Sequence, residues 1–216
     1  MHIPDGFLEA KVWVPAAAVA AVGLGACAKR LATAHEGRLV PLMGVTAAFI
    51  FAAQMLNFPV LGGTSGHLLG GVLAAVILGP AAGALALAVV LAAQCIFFQD
   101  GGLTALGANI LNMSFIGTVG GWAIYEAMRR ALPTRAGMLA AVAVASWASV
   151  MMASSACALE LAWSGTSPLS VALPAMLFVH AFIGVGEALI TTLVVGFVLK
   201  VNPTLILTRE VRYENA

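Results

Sequence analysis

The chain has 216 residues, 62% hydrophobic and only 9% charged, with a formal net charge of +1. Soluble domains carry about 25% charged residues, so this balance excludes a soluble globular domain, a disordered chain and a nucleic-acid binder, and three cysteines exclude a disulfide scaffold. With a mean hydropathy of +1.03 and apolar blocks as long as a bilayer is thick, the chain reads as an all-α, polytopic transmembrane helical bundle forming one membrane domain, residues 1–216.

The first eleven residues form an N-terminal loop, beginning Met1-His2-Ile3-Pro4-Asp5-Gly6-Phe7-Leu8. A histidine in second position has a chemical consequence. The α-amine of Met1, the backbone nitrogen of His2 and the His2 Nδ1 can reach one metal ion through fused five- and six-membered chelate rings. Three nitrogens in a plane suit Ni(II) or Cu(II), and low-spin Co(II) accepts the same geometry. Pro4 holds Ile3 extended, and Asp5-Gly6 reads as a turn. The loop is thus a shaped plug, although an ordinary extracytoplasmic terminus fits the same residues.

Seven spans are expected, near 12–28, 39–56, 66–79, 81–98, 106–128, 138–159 and 169–199. The first is not a cleaved signal, because its basic pair Lys29-Arg30 follows the apolar stretch rather than preceding it. The third is short and ends at Gly79-Pro80, since Pro is placed easily at a helix start. The last is long, and Gly184-Val185-Gly186 is a place for it to bend or split. Nine of the ten Lys and Arg residues fall after spans one, five and seven, and only Lys11 falls elsewhere. The positive-inside rule then puts the N-terminus outside and the C-terminus in the cytoplasm, which needs an odd number of spans. Alanines of span one, and glycines four apart (Gly62, Gly66, Gly70; Gly117, Gly121), allow close helix contacts.

Polar residues inside spans mark function by default. His67, at the outer end of span three, has two open roles: fourth ligand of the ion, or a histidine hydrogen-bonded between helices. His180 and Glu187 lie seven apart, hence on one helical face. They line a polar cavity or tie span seven to a polar neighbour, and a structural or ligand-supporting role is favoured because a metal-bound histidine needs a hydrogen-bonded supporter. Gln54, Asn57, Gln94, Asn109 and Asn112 are candidates for similar support or for helix-to-helix bonds. His35 lies in a basic loop and is expected to be solvated. The cysteines lack C-x-x-C spacing, and neither a P-loop nor H-E-x-x-H occurs. The chain is therefore expected not to be an enzyme, and energy for active transport must come from partners or an ion gradient.

Three segments carry a resemblance: MHIPDGFL at 1–8, GGTSGHLLGG at 62–71 and HAFIGVGEALIT at 180–191. In order and spacing they resemble the CbiM/NikM family, the substrate-binding membrane components of energy-coupling-factor transporters, an ATP-binding-cassette class, for cobalt and nickel. The resemblance implies a ligand set of Met1, His2 and His67, with Co(II) or Ni(II) as transported substrate. It leaves Asn57, Ser65, Asn109, His180 and Glu187 as supporting residues. It further implies a coupling transmembrane component, two cytoplasmic ATPase subunits and a small accessory membrane subunit, all at a bacterial-type cytoplasmic (inner) membrane. Some nickel members carry the accessory subunit fused at the C-terminus, which this sequence lacks. That favours cobalt for cobalamin synthesis over nickel uptake. A secondary transporter or channel working alone, with His180 and Glu187 as relay, is the competing reading. A purely structural membrane subunit is a third.

Overall fold

The computed structural model describes residues 1–32, 38–60 and 64–206. His35, Gly62, Gly63, Arg209 and Arg212 lie outside the described residues, as does the side chain of Ser65. The architecture is a helical bundle: α1 (Ala10–Ala32), α2 (Leu39–Gln54), α3 (Gly71–Leu78), α4 (Pro80–Phe98), α5 (Leu106–Asn109), α6 (Gly121–Ala131), α7 (Arg135–Trp163) and α8 (Leu169–Val201). Between α2 and α3 a two-stranded antiparallel hairpin intervenes, β1 (Asn57–Val60) and β2 (Thr64–His67), with Asn57 opposite His67. Among the described residues, four helices are long and apolar enough to cross a bilayer, α1, α4, α7 and α8, and α2 is a shorter apolar helix.

Two expectations need correction. The stretch 66–79 is not one helix: it holds the end of β2, a turn and only eight helical residues. At about 1.5 Å per residue, such a helix falls far short of the roughly 30 Å hydrocarbon core. All eight residues of α3 are buried, so α3 is a half-length helix packed inside the bundle. Its uniform apolarity, which looked like a span, reflects protein on every side. Gly79, at φ 85° and ψ 158°, then turns the chain into α4, with Pro80 at its first turn. The second correction is α8, which runs unbroken through Gly184. There the missing side chain admits a neighbour: a Cβ on Gly184 would lie 2.9 Å from Trp147 Cδ1 of α7.

Residues 106–131 make one helical run whose middle, Ile110–Gly120, is π-helical. A π stretch is rare and widens the helix. Of its buried polar side chains, Thr118 Oγ1 donates within the run to Met113 O at 3.1 Å, and Ser114 Oγ donates across to Ala84 O of α4 at 2.7 Å. α8 buries one stripe, Ala172, Met176, His180, Gly184, Glu187, Thr191 and Val195. The opposite stripe, Phe178, Phe182, Val185, Leu189, Leu193 and Phe197, is exposed. Such an apolar outer face suits lipid rather than water.

Candidate metal centre

The N-terminal loop does not hang free. It threads into the bundle, and Met1, His2 and Ile3 are 0%, 3% and 0% exposed. Asn109 of α5 grips the backbone of Ile3 in both directions, its Oδ1 accepting from Ile3 N at 2.8 Å and its Nδ2 donating to Ile3 O at 3.2 Å. Gly102 N also donates to Ile3 O, at 2.8 Å. Only glycine fits there, since a Cβ on Gly102 would sit 2.2 Å from Asp5 N. The Asp5 carboxylate accepts from Leu103 N, Thr104 N and Thr104 Oγ1 at 3.0, 2.8 and 2.5 Å. The Thr104 hydroxyl and these backbone amides hold the Asp5 carboxyl below its ordinary range. Further along, Thr166 Oγ1 donates to Phe7 O, and Glu9 N donates to Ser164 Oγ at 3.1 Å.

This docking brings the start of the chain to the hairpin. The rings of His2 and His67 lie 4.6 Å apart between centroids and 27° from parallel. His67, 1% exposed, presents Nδ1 to Leu68 O at 2.7 Å, and its Nε2 has no hydrogen-bond partner. His2 Nε2 lies 3.1 Å from Gln94 Oε1, and Nδ1 lies 3.2 Å from Asp100 Oδ1. With Gln94 Oε1 as acceptor, the His2 proton sits on Nε2 and Nδ1 keeps its lone pair. Burial pushes the Met1 amine down from 8.0 to about 5. Burial, then the neighbouring amine, pushes His2 down from 6.5 to about 3. The same two causes, with His2 added, take His67 well below its ordinary value. All three groups are therefore held as neutral nitrogen bases, the form that binds a metal.

Of the expected supporting residues, four surround this cluster. Asn109 fixes the loop as described. Glu187, 0% exposed, accepts from Leu69 N and Gly70 N at 2.7 Å each. It thereby ties the two residues beyond Leu68 to α8. Gly70 adopts φ 76° there, and a Cβ would meet Ile50 at 2.8 Å. Asn57 faces His67 across the hairpin, and its side chain hydrogen-bonds Asp100. His180, 0% exposed, presents Nδ1 to Met176 O at 2.8 Å and has an unpartnered Nε2. Ser65 lies in β2 opposite Pro59.

One neighbour, Asp100, escapes the sequence reading, because it falls in a loop beyond α4 where an acid beside Gly-Gly looks like a solvent-facing turn. Gln94, one of the candidate supporters, lies beside His2. Burial raises the Asp100 carboxyl, against the opposing pull of the Met1 amine and Asn57. Among the described residues no three His, Cys, Asp or Glu side chains form a ready metal cage.

A family model described as CbiM, cobalt uptake substrate-specific transmembrane region, matches residues 2–205. The chain is 41% identical over 208 residues to a putative fused nickel transport protein NikMN of Archaeoglobus fulgidus, covering 95% of this chain and 68% of that one. It is 34% identical over 212 residues to the cobalt transport protein CbiM 2 of Pelobacter propionicus, covering 94% and 92%. A crystal structure of a transition metal transporter superposes with a TM-score of 0.87 at 34% identity, covering 98% of this chain and all of that one.

Proposed function

Because the chain belongs to the CbiM family of cobalt and nickel transport components, we propose that it captures one Co(II) or Ni(II) ion in a nitrogen clasp as the substrate-binding subunit of an ATP-driven importer. The donors are the Met1 amine, the His2 backbone nitrogen, His2 Nδ1 and His67 Nε2. The observation that carries this reading is the spacing of the two rings. Imidazoles held cis on one ion by bonds of about 2 Å would have centroids roughly 4.4 Å apart, and those of His2 and His67 are 4.6 Å apart. In the clasp, Gln94 and Leu68 O hold the far ring nitrogens and so aim the near ones.

Cobalt is the first expected cargo, in keeping with the family description. Nickel is the second, in keeping with the Archaeoglobus relative. The bundle crosses the cytoplasmic membrane seven times with its N-terminus outside, the hairpin and the half-length α3 together making the third crossing. Transport needs a coupling membrane component, two ATPases and an accessory membrane subunit.

The test is metal titration of the purified chain by calorimetry. The native chain is expected to bind one ion tightly. Two residues added before Met1, or His67→Ala, should weaken binding by at least 100-fold, as befits loss of a ligand rather than of a supporting group. Equal binding by native and extended chains would place the site elsewhere.

A further inference from the structure

Three of the four clasp donors are neutral bases and the fourth, the His2 amide, loses its proton only on ligating, so none is an anion before the ion arrives. The whole chain carries only +1, so it offers a dication no general attraction. Among the described residues two carboxylates stand near the clasp, and Glu187 is already engaged by Leu69 N and Gly70 N. Asp100 Oδ1 lies 3.2 Å from His2 Nδ1, and the Asp100 side chain is 16% exposed. Its Oδ2 has no hydrogen-bond partner. With the His2 proton on Nε2, a lone pair and a carboxylate oxygen face each other at 3.2 Å, an arrangement of two acceptors that a cation relieves.

Asp100 is also placed toward the outside. The residues on either side of it, Gln99 and Gly101, line a cavity of about 240 Å³ together with Pro4, Asp5, Gly102 and Leu103. Gly101 stands at φ 94°, and a Cβ there would meet Asn109 Nδ2 at 3.0 Å and His2 at 3.3 Å. The wall between cavity and clasp is thus one glycine thick. Asp5, the other acid at this mouth, has its carboxylate engaged by three donors. Asp100 is bonded by the Asn57 side chain, and among the described residues its buried Oδ2 has no donor.

We propose that Asp100 is the capture residue for the hydrated dication: it holds the aquated ion in an outer-sphere pair at the mouth, next to His2 Nδ1, before any water is lost. This rests on the clasp reading above. The step breaks no bond and moves no proton. The ion then sheds water and takes the nitrogens at a rate set by its own water exchange. A contact carboxylate therefore multiplies the association rate of every divalent ion by the same factor.

The test is stopped-flow binding of Co(II) and Ni(II) to the full chain in neutral phosphocholine nanodiscs. In Asp100→Asn, which keeps the side-chain size, the association rate should fall about tenfold for both ions alike, at the low end of electrostatic steering effects. The dissociation rate should stay unchanged, and Asp100→Glu should restore most of the association rate. In the wild type, the association rate should fall as salt rises, a readout that needs no variant. An unchanged association rate in Asp100→Asn, a salt-independent wild type, a faster dissociation rate, or different factors for the two ions would each overturn the proposal. If the wild-type chain binds no ion, or binds it regardless of its N-terminus, the clasp reading fails instead.

Discussion

Glu187 sits far from the start of the sequence yet sets the position of His67. Its two oxygens take Leu69 N–H and Gly70 N–H, so the backbone just past His67 is fastened to α8. Glu187→Gln keeps the shape but can accept at only one of those positions, leaving a buried donor unpaired. Metal affinity is expected to drop 10- to 100-fold, the range for groups that orient ligands, which calorimetry would measure. Acidity acts on the same site through the amine. An amine whose ordinary value is 8.0 and whose docked value is about 5 binds more protons when released than when docked between those limits. Docking is therefore fully favourable above pH 8 and weakens as pH falls toward 5. His2, moved from 6.5 to about 3, extends the loss further down. Amide hydrogen exchange at Ile3, whose N–H is held by Asn109, should speed up as pH falls from 8 to 5, after correction for the intrinsic rate.

At the scale of elements, the long helices were legible because lipid on one side and protein on the other both demand apolar residues, in runs of bilayer length. α1, α4, α7 and α8 announce themselves that way. The hairpin did not. Pro59 in β1 and the glycines around β2 argue against strands, and only the pairing across to His67 makes the segment one. Met1, His2 and His67 were legible because each has distinctive chemistry in an unusual place. Asp100 was not, because what makes it notable is a distance to a residue 98 positions away. Close packing of α5 on α1 was written in Gly107, whose added Cβ would lie 2.3 Å from Ala17 Cα. Gly107→Ala must push backbone apart and should destabilise by about 1–3 kcal/mol, read as a lower Tm. Because α5 also carries Asn109, metal affinity should fall with it.

Across the whole molecule, the proposed clasp is built into a bundle in which the buried polar side chains of α8 stop at Thr191. Vesicles holding this chain alone are expected to bind the ion without accumulating it, and accumulation should appear only when the coupling component and ATPases are added. Radiotracer uptake would check this, and ATP-independent flux through the lone chain would favour a secondary transporter. The two imidazoles of the clasp also hang from different parts of the frame. His2 is held by Gln94 of α4 and, through Ile3, by Asn109 of α5, whereas the arm just past His67 is moored to the middle of α8. The clasp is a pair of jaws on separate mounts. A slide of α8 against the α4–α5 corner by about 1 Å, the size of ordinary shear between packed helices, exceeds several-fold the roughly 0.2 Å a metal–nitrogen bond tolerates. In the proposed clasp, grip on the cargo would thus gauge helix position, and a partner leaning on α8 would loosen the ion without touching a ligand.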